Sequence, residues 1–315
     1  VAQDISKPLH AQGGAIVEVN AGPGLLMHLK PAVGASRPVG QAIAEHLFPL
    51  EESPPGQEAG RIPVVGVAGT RDTATVARLV AWLSHLSGHY TGLACKNGMW
   101  MNQRCVDQRD SAHWEGAHRL LVSQMVQAAV IENDARAILQ DGLAYDRCTV
   151  GVVTDMDGFE GLAAFDIQEA AQMAKVLRTQ VDVVLPSGAA VLNADEAAVA
   201  DLARLCDGAV ILYSADADNA AVAAHRASDQ GRAVLVKGGN VVLATGAAEK
   251  SLGALARLAF AQGASTPPVH TLLAAIGAAW ALDIAPDLIA AGIKTFEPEL
   301  PSSAVAAART VTLPL

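Results

Sequence analysis

Four cysteines in 315 residues, Cys95, Cys105, Cys148 and Cys206, are too few and too widely spaced for a disulfide framework. With no C-x-x-C pair and no histidine at zinc-ligand spacing, they read as free, small apolar thiols in a reducing compartment. Clustered basic residues are also missing. Lys and Arg number 22 against 32 Asp and Glu, a formal charge of −10, so the chain lacks the cationic surface that phosphate backbones require, and nucleic acid is not an expected partner. No run approaches eighteen apolar residues, and no basic segment with an apolar stretch precedes a cleavage site. A soluble, cytoplasmic chain that does not enter a membrane is therefore expected. Internal repeats and low-complexity tracts are absent too. The chain opens at Val1 rather than Met, in residues that look like the interior of a longer polypeptide, so preceding sequence is expected.

What is present is a large apolar content, 51%, enough for a core of ordinary size. Ile62 to Ala68 is a buried-strand run, followed by a Gly-Thr turn and by Ala74 to Leu86, where Val76, Leu79, Val80, Leu83 and Leu86 recur at helical spacing. Further strand-like runs are Ala128 to Ile131, Val150 to Val153, Val181 to Leu185, Val210 to Tyr213 and Ala233 to Val236, with helical patterns at Ile167 to Leu177 and Ala197 to Leu205. Alternating strands and helices predict an α/β fold, a mostly parallel sheet with helices on both faces. Lys237-Gly238-Gly239-Asn240 predicts a tight turn between antiparallel strands at a sheet edge, and Ala- and Leu-rich helices follow at His270 to Trp280 and Ala285 to Gly292. Glu51 to Glu58 is a Pro-, Glu- and Ser-rich stretch without periodicity, and a linker over 51–60 separates residues 1–50 from a domain over 61–300; residues 301–315 read as a tail.

A glycine-containing loop between a strand and a helix start is where phosphate normally sits, because free N–H groups and the positive end of the helix dipole converge there. Gly60 to Val80, with Gly66 to Thr70 ahead of the turn and Thr75 to Val80 behind it, resembles the Mur ligase nucleotide loop of cyanophycin synthetases, which in that family runs G-T-N-G-K-T-T. Here the loop is Gly69-Thr70-Arg71-Asp72-Thr73-Ala74-Thr75. Arg71 stands for the Asn, Asp72 for the Gly, Thr73 for the phosphate-binding Lys and Ala74 for the metal-binding Thr. Asp72 would repel a triphosphate at a cost on the order of a kcal/mol or more. Arg71 reads as a solvated loop charge that could pair with Asp72 or an outside anion. The degenerate loop is accordingly expected not to bind nucleotide, and no catalytic residue is expected in this domain.

Other positions carry the resemblance further. Ala129 to Arg136 is similar to the segment that supplies a metal-linked Glu, here Glu132. After Val152-Val153-Thr154 the family has a His near the nucleotide, where this chain reads Asp155-Met156-Asp157-Gly158-Phe159-Glu160-Gly161-Leu162. Thr271 stands where Mur ligases place an adenine-contacting Asn, and Asn193-Ala194-Asp195-Glu196 resembles an N-x-D-D turn that reads equally well as a capped turn. The third Mur domain, which would bring the amino-acid substrate, is expected to be absent or truncated.

Gly13 to Leu25 is similar to the last strand of an ATP-grasp module, with its E-x-N intact. The resemblance implies that Glu18 and Asn20 coordinate the Mg²⁺ of ATP there once the full module is present. It further implies an ATP-dependent ligase making an Asp/Arg polymer, with the cyanophycin chain or β-Asp-Arg dipeptide as partner, a homo-oligomeric assembly, and a Mur-like domain that is structural. A non-enzymatic scaffold or regulatory pseudo-ligase, and a two-site synthetase with an atypical nucleotide loop, are the alternatives.

Overall fold

The computed structural model describes residues 4, 7–16, 21–22, 24–47, 60–258 and 268–297, and the chain forms two compact units, Val1–Arg61 and Ile62–Leu315. The described part of the first unit holds a 3-10 turn at Leu9–Gln12 and two helices, α1 (Leu26–Leu29) and α2 (Val39–Leu47). None of its described residues is buried, and Ile16, Leu26, Met27 and Val33 are exposed. The expected metal pair Glu18 and Asn20, nearly all of the expected linker 51–60, and the tail 301–315 lie outside the described residues.

The second unit begins with β1 (Val64–Ala68), α3 (Thr73–Leu86) and a meander of β2 (Thr91–Cys95), β3 (Gly98–Met101) and β4 (Arg104–Asp107). Then come α4 (Trp114–Leu121), β5 (Ala128–Asn133), α5 (Ala135–Asp141), β6 (Cys148–Val153), α6 (Ala170–Asp182) and β7 (Val184–Asn193). The chain continues through α7 (Ala197–Ala200), β8 (Ala209–Ser214), α8 (Ala220–Arg226), β9 (Arg232–Lys237), β10 (Asn240–Thr245) and β11 (Ala248–Ala254) to α9 (Val269–Ala281) and α10 (Pro286–Thr295).

Among the described residues the strands form one eleven-stranded sheet in the order β11-β10-β9-β8-β7-β6-β1-β5-β2-β3-β4. Its centre, from β2 to β9, is parallel, and antiparallel strands close it at both ends. A parallel strand covered on both faces has no solvent side, which is why β1 is a continuous apolar Val-Val-Gly-Val-Ala run with every residue buried. Val65 and Val67 join the core beneath α3, α9 and α10, while Val64 and Ala68 join the core beneath α4 and α6, as the two-residue period of a strand requires. α9 is buried nearly all round, and its Ala-rich sequence lets it approach the strands closely.

Several boundaries differ from the sequence expectation. The helix expected from Ile167 starts at Ala170, because Gln172 Oε1 accepts the N–H groups of Gln168 and Glu169 and fixes the start there. That helix runs through Asp182, so the strand expected from Val181 begins at Val184 and extends to Asn193. Ala197 to Leu205 is a short α-helix passing into a 3-10 turn at Asp201–Leu205. Gly238 and Gly239 both take positive φ, 56° and 75°, as a two-residue hairpin turn demands, but β10 is not the edge: β11, polar and exposed over much of its length, pairs outside it. The cysteines are free, as read from their spacing, and burial pushes the Cys95 and Cys148 thiols up to about 12.

Candidate functional site

The carboxyl ends of β1, β5, β6, β7 and β8 converge where β5 and β6 flank β1, the position at which open α/β sheets place ligands. The loop after β1 enters this crevice. Gly69 has φ 133°, and a Cβ there would fall 2.0 Å from Thr154 Oγ1, so only glycine lets the two strand ends lie this close. Asp72 sits at the N-cap of α3 with φ 53°, a left-handed conformation that Gly adopts without strain and that Asp tolerates better than most residues. Its side chain does not cap the helix; Thr271 Oγ1, at the start of α9, donates to Asp72 Oδ2 at 3.2 Å.

The loop amides are already occupied. Asp155, buried at the end of β6, accepts from the N–H of Thr70 (3.0 Å), the N–H of Arg71 (2.9 Å), the hydroxyls of Thr70 (2.6 Å) and Thr154 (2.7 Å), and the N–H of Asp157 (3.2 Å). Burial by itself would raise its pKa, but these donors, with Thr70 foremost, hold the carboxyl below the usual range. An internal carboxylate thus takes the anion position that the strand-loop-helix unit creates. Arg71 pairs not with Asp72 but with Asp157 (3.2 Å), Glu196 and, at longer range, Asp155 (3.8 Å).

The remaining loop positions are turned to other work. Thr73 is buried and its hydroxyl donates to Glu132 Oε1 at 2.6 Å, while Glu132 Oε2 accepts the Lys96 N–H at 2.7 Å and Lys96 Nζ lies 3.5 Å from Oε1. Ala74 is buried in the first turn of α3, and Thr75 follows it, half-buried. Glu132, expected as a metal-linked carboxylate, is thereby held by Thr73 and Lys96. No group of three His, Cys, Asp or Glu side chains among the described residues is arranged to hold a metal ion.

Asn193 and Asp195 are brought to the same crevice. Asn193 Nδ2 donates to the Thr154 carbonyl (3.0 Å) and its Oδ1 accepts the Asp195 N–H (3.1 Å), the capped-turn role. Asp195 accepts from the Ser214 hydroxyl, the Ala215 N–H (2.8 Å), Asn219 (3.1 Å) and His270 Nε2 (2.7 Å). Burial works against its ionisation, yet the Ser214 and Ala215 donors outweigh it and lower the pKa. Asp155, Tyr213 and His270 were not singled out from the sequence. A carboxylate directly after the Val150 to Val153 run was the available signal for Asp155.

No family model matches the chain. It is 34% identical over 297 residues to a protein named cyanophycin synthetase from Synechocystis sp., and 33% identical over 298 residues to that of Crocosphaera subtropica, covering 94% of this chain and 33% of each relative. The chain therefore spans about one third of the length of the relatives it matches. Its fold is similar to that of UDP-N-acetylmuramoyl-L-alanyl-D-glutamate–2,6-diaminopimelate ligase (TM-score 0.53, 15% identity, 76% of this chain and 46% of that one). MurF from Acinetobacter baumannii gives a TM-score of 0.51 at 13% identity, over 76% of this chain and 47% of that one. By sequence the chain is homologous to about one third of the length of the cyanophycin synthetases, and its fold is similar to that of Mur ligases.

Proposed function

We propose that this chain is part of an ATP-dependent ligase that builds an Asp/Arg polymer, and that its Mur-like unit no longer handles nucleotide but serves as a structural domain. The observation that carries the second half is the Asp155 carboxylate seated on the Thr70 and Arg71 amides. A triphosphate needs those N–H groups together with a cation and a metal-binding hydroxyl. Thr73 supplies no cation and its hydroxyl is held by Glu132, Ala74 has no hydroxyl, and Arg71 is engaged by carboxylates. Displacing Asp155 would leave its charge buried without donors beside the incoming phosphate, which adds repulsion to a desolvation cost of several kcal/mol, on the order quoted for a buried ion. The residues present do not fit Mg-ATP at this loop.

Chemistry is accordingly assigned to an ATP-grasp module in the full-length protein, to which Glu18 and Asn20 would contribute Mg²⁺ ligation. The described residues of the first unit are all at least partly exposed, including several large apolar ones, as suits a piece whose core is completed by more chain. The cyanophycin chain or its β-Asp-Arg dipeptide would be the partner of that assembly, a cytoplasmic homo-oligomer. Among the described residues no helix is long and apolar enough to cross a membrane.

Isothermal titration of Mg-ATP into the 315-residue chain tests the nucleotide reading. No saturable heat is expected up to millimolar ATP; saturable micromolar binding abolished by substitution of loop residues would overturn it.

A further inference from the structure

Beside the occupied loop, the start of α9 closes over the ends of β7 and β8 to leave a cavity of about 150 Å³, lined in part by Arg71, Asp72, Asn193, Tyr213, His270 and Thr271. Two features of its lining bear on a ligand: a buried hydroxyl without a partner among the described residues, and an exposed carboxylate, Asp72, that opens onto the same cavity. Tyr213 is fully buried in its floor, and its hydroxyl has no hydrogen-bond partner among the described residues. Native interiors rarely leave such a group unpaired, because it gave up water and received nothing in return. The second feature is Asp72. Its carboxylate accepts one bond, from Thr271, and no cation pairs with it among the described residues.

The other charges around the cavity are spoken for. Arg71 is shared among Asp155, Asp157 and Glu196, and His270 lies on Asp195. Five carboxylates thus face one guanidinium and one imidazole, a surround that opposes an anion. A divalent metal ion needs several converging oxygens, and no group of three acidic, His or Cys side chains is arranged for one among the described residues. The volume suits a head group rather than a molecule of cofactor size.

We propose that this cavity binds a small organic cation with N–H donors, a guanidinium or primary ammonium group, which places its charge against Asp72 and donates to the Tyr213 hydroxyl. The crevice that in a nucleotide-binding relative of the fold would meet phosphate has then exchanged the sign of its ligand: an internal carboxylate satisfies the loop, and the remaining unpaired carboxylate selects a cation. This goes beyond the structural role proposed above, and the ATP titration decides that role separately.

The test uses the whole chain, with methylguanidinium and n-butylammonium as probes, tetramethylammonium as a cation without N–H donors, and tripolyphosphate as the anion, all at constant ionic strength and read by titration calorimetry. Saturable binding of at least one N–H cation is expected, with tetramethylammonium and tripolyphosphate inert. Asp72→Asn, which keeps the left-handed backbone, should weaken binding about tenfold, the scale of one charged hydrogen bond. Tyr213→Phe should also lower affinity while leaving the thermal midpoint unchanged or raised, since it deletes an unsatisfied hydroxyl. Absence of binding by both N–H cations, equal binding of tetramethylammonium, binding of tripolyphosphate, or an undiminished affinity in Asp72→Asn would each overturn the proposal.

Discussion

Asp155→Ala removes the acceptor on which the loop after β1 is built. Five donors lose their partner at once: the Thr70, Arg71 and Asp157 N–H groups and the Thr70 and Thr154 hydroxyls. A hydrogen bond to a charged group is worth about 1.5–3 kcal/mol, but the five are not additive, and the exposed Thr70 and Arg71 can turn to water. Arg71 also retains Asp157 and Glu196. A net loss of about 3–5 kcal/mol follows, the range for breaking a buried charged arrangement. For a unit of this size each kcal/mol shifts Tm by about 2–4 °C, so a fall of roughly 10 °C is expected in a thermal melt followed by circular dichroism at pH 7. If the amides form an anion cradle, an external carboxylate should partly replace the lost one. Formate at tenfold excess over its Kd would return about 1.4 kcal/mol to the variant and nothing to the parent chain. A variant as stable as the parent to within about 0.5 kcal/mol, or one that formate fails to stabilise selectively, would refute the reasoning.

Three further outcomes are expected. Restoring the loop by Asp72→Gly, Thr73→Lys and Ala74→Thr should give no measurable ATP binding by calorimetry, because Asp155 still holds the amides; adding Asp155→Asn should produce binding, and micromolar affinity in the triple variant alone would contradict the occupied-cradle account. Asp155 and Asp195 are both held below their unfolded pKa of about 3.9, so their stabilisation is complete above that value and is lost as pH falls through the lower folded values. Melts should thus show a steep decline in Tm below about pH 4, shallower in Asp155→Ala, and an equally steep decline in that variant would show Asp155 is not the titrating group. In the full-length protein, Glu18→Gln should cut ATP-dependent polymerisation at least about a hundredfold without changing assembly, the scale of losing one preorganised electrostatic partner; near-normal turnover would remove Glu18 from the metal site.

The sequence by itself determined the alternation of elements and the chemistry missing from the loop. A buried parallel strand must be apolar throughout, so Ile62 to Ala68 announces β1, and the loss of Lys at Thr73 and of a hydroxyl at Ala74 is visible without a fold. Short or polar elements escaped because their periodicity is weak. β2 to β4 are strands of four or five residues, and β11 has a largely exposed Ala-Glu-Lys-Ser start. Only the tertiary structure decided what fills the loop. Asp155 is 84 and 85 residues from the amides it accepts, and Thr271 is 199 from Asp72. Both contacts exist because β6 pairs beside β1 and α9 packs back onto α3. Periodicity reports how a segment lies against an interior, a local property; which strand becomes its neighbour depends on burial summed over the whole chain, and that is why the Asp155 carboxylate on the loop amides could be seen only in the folded protein.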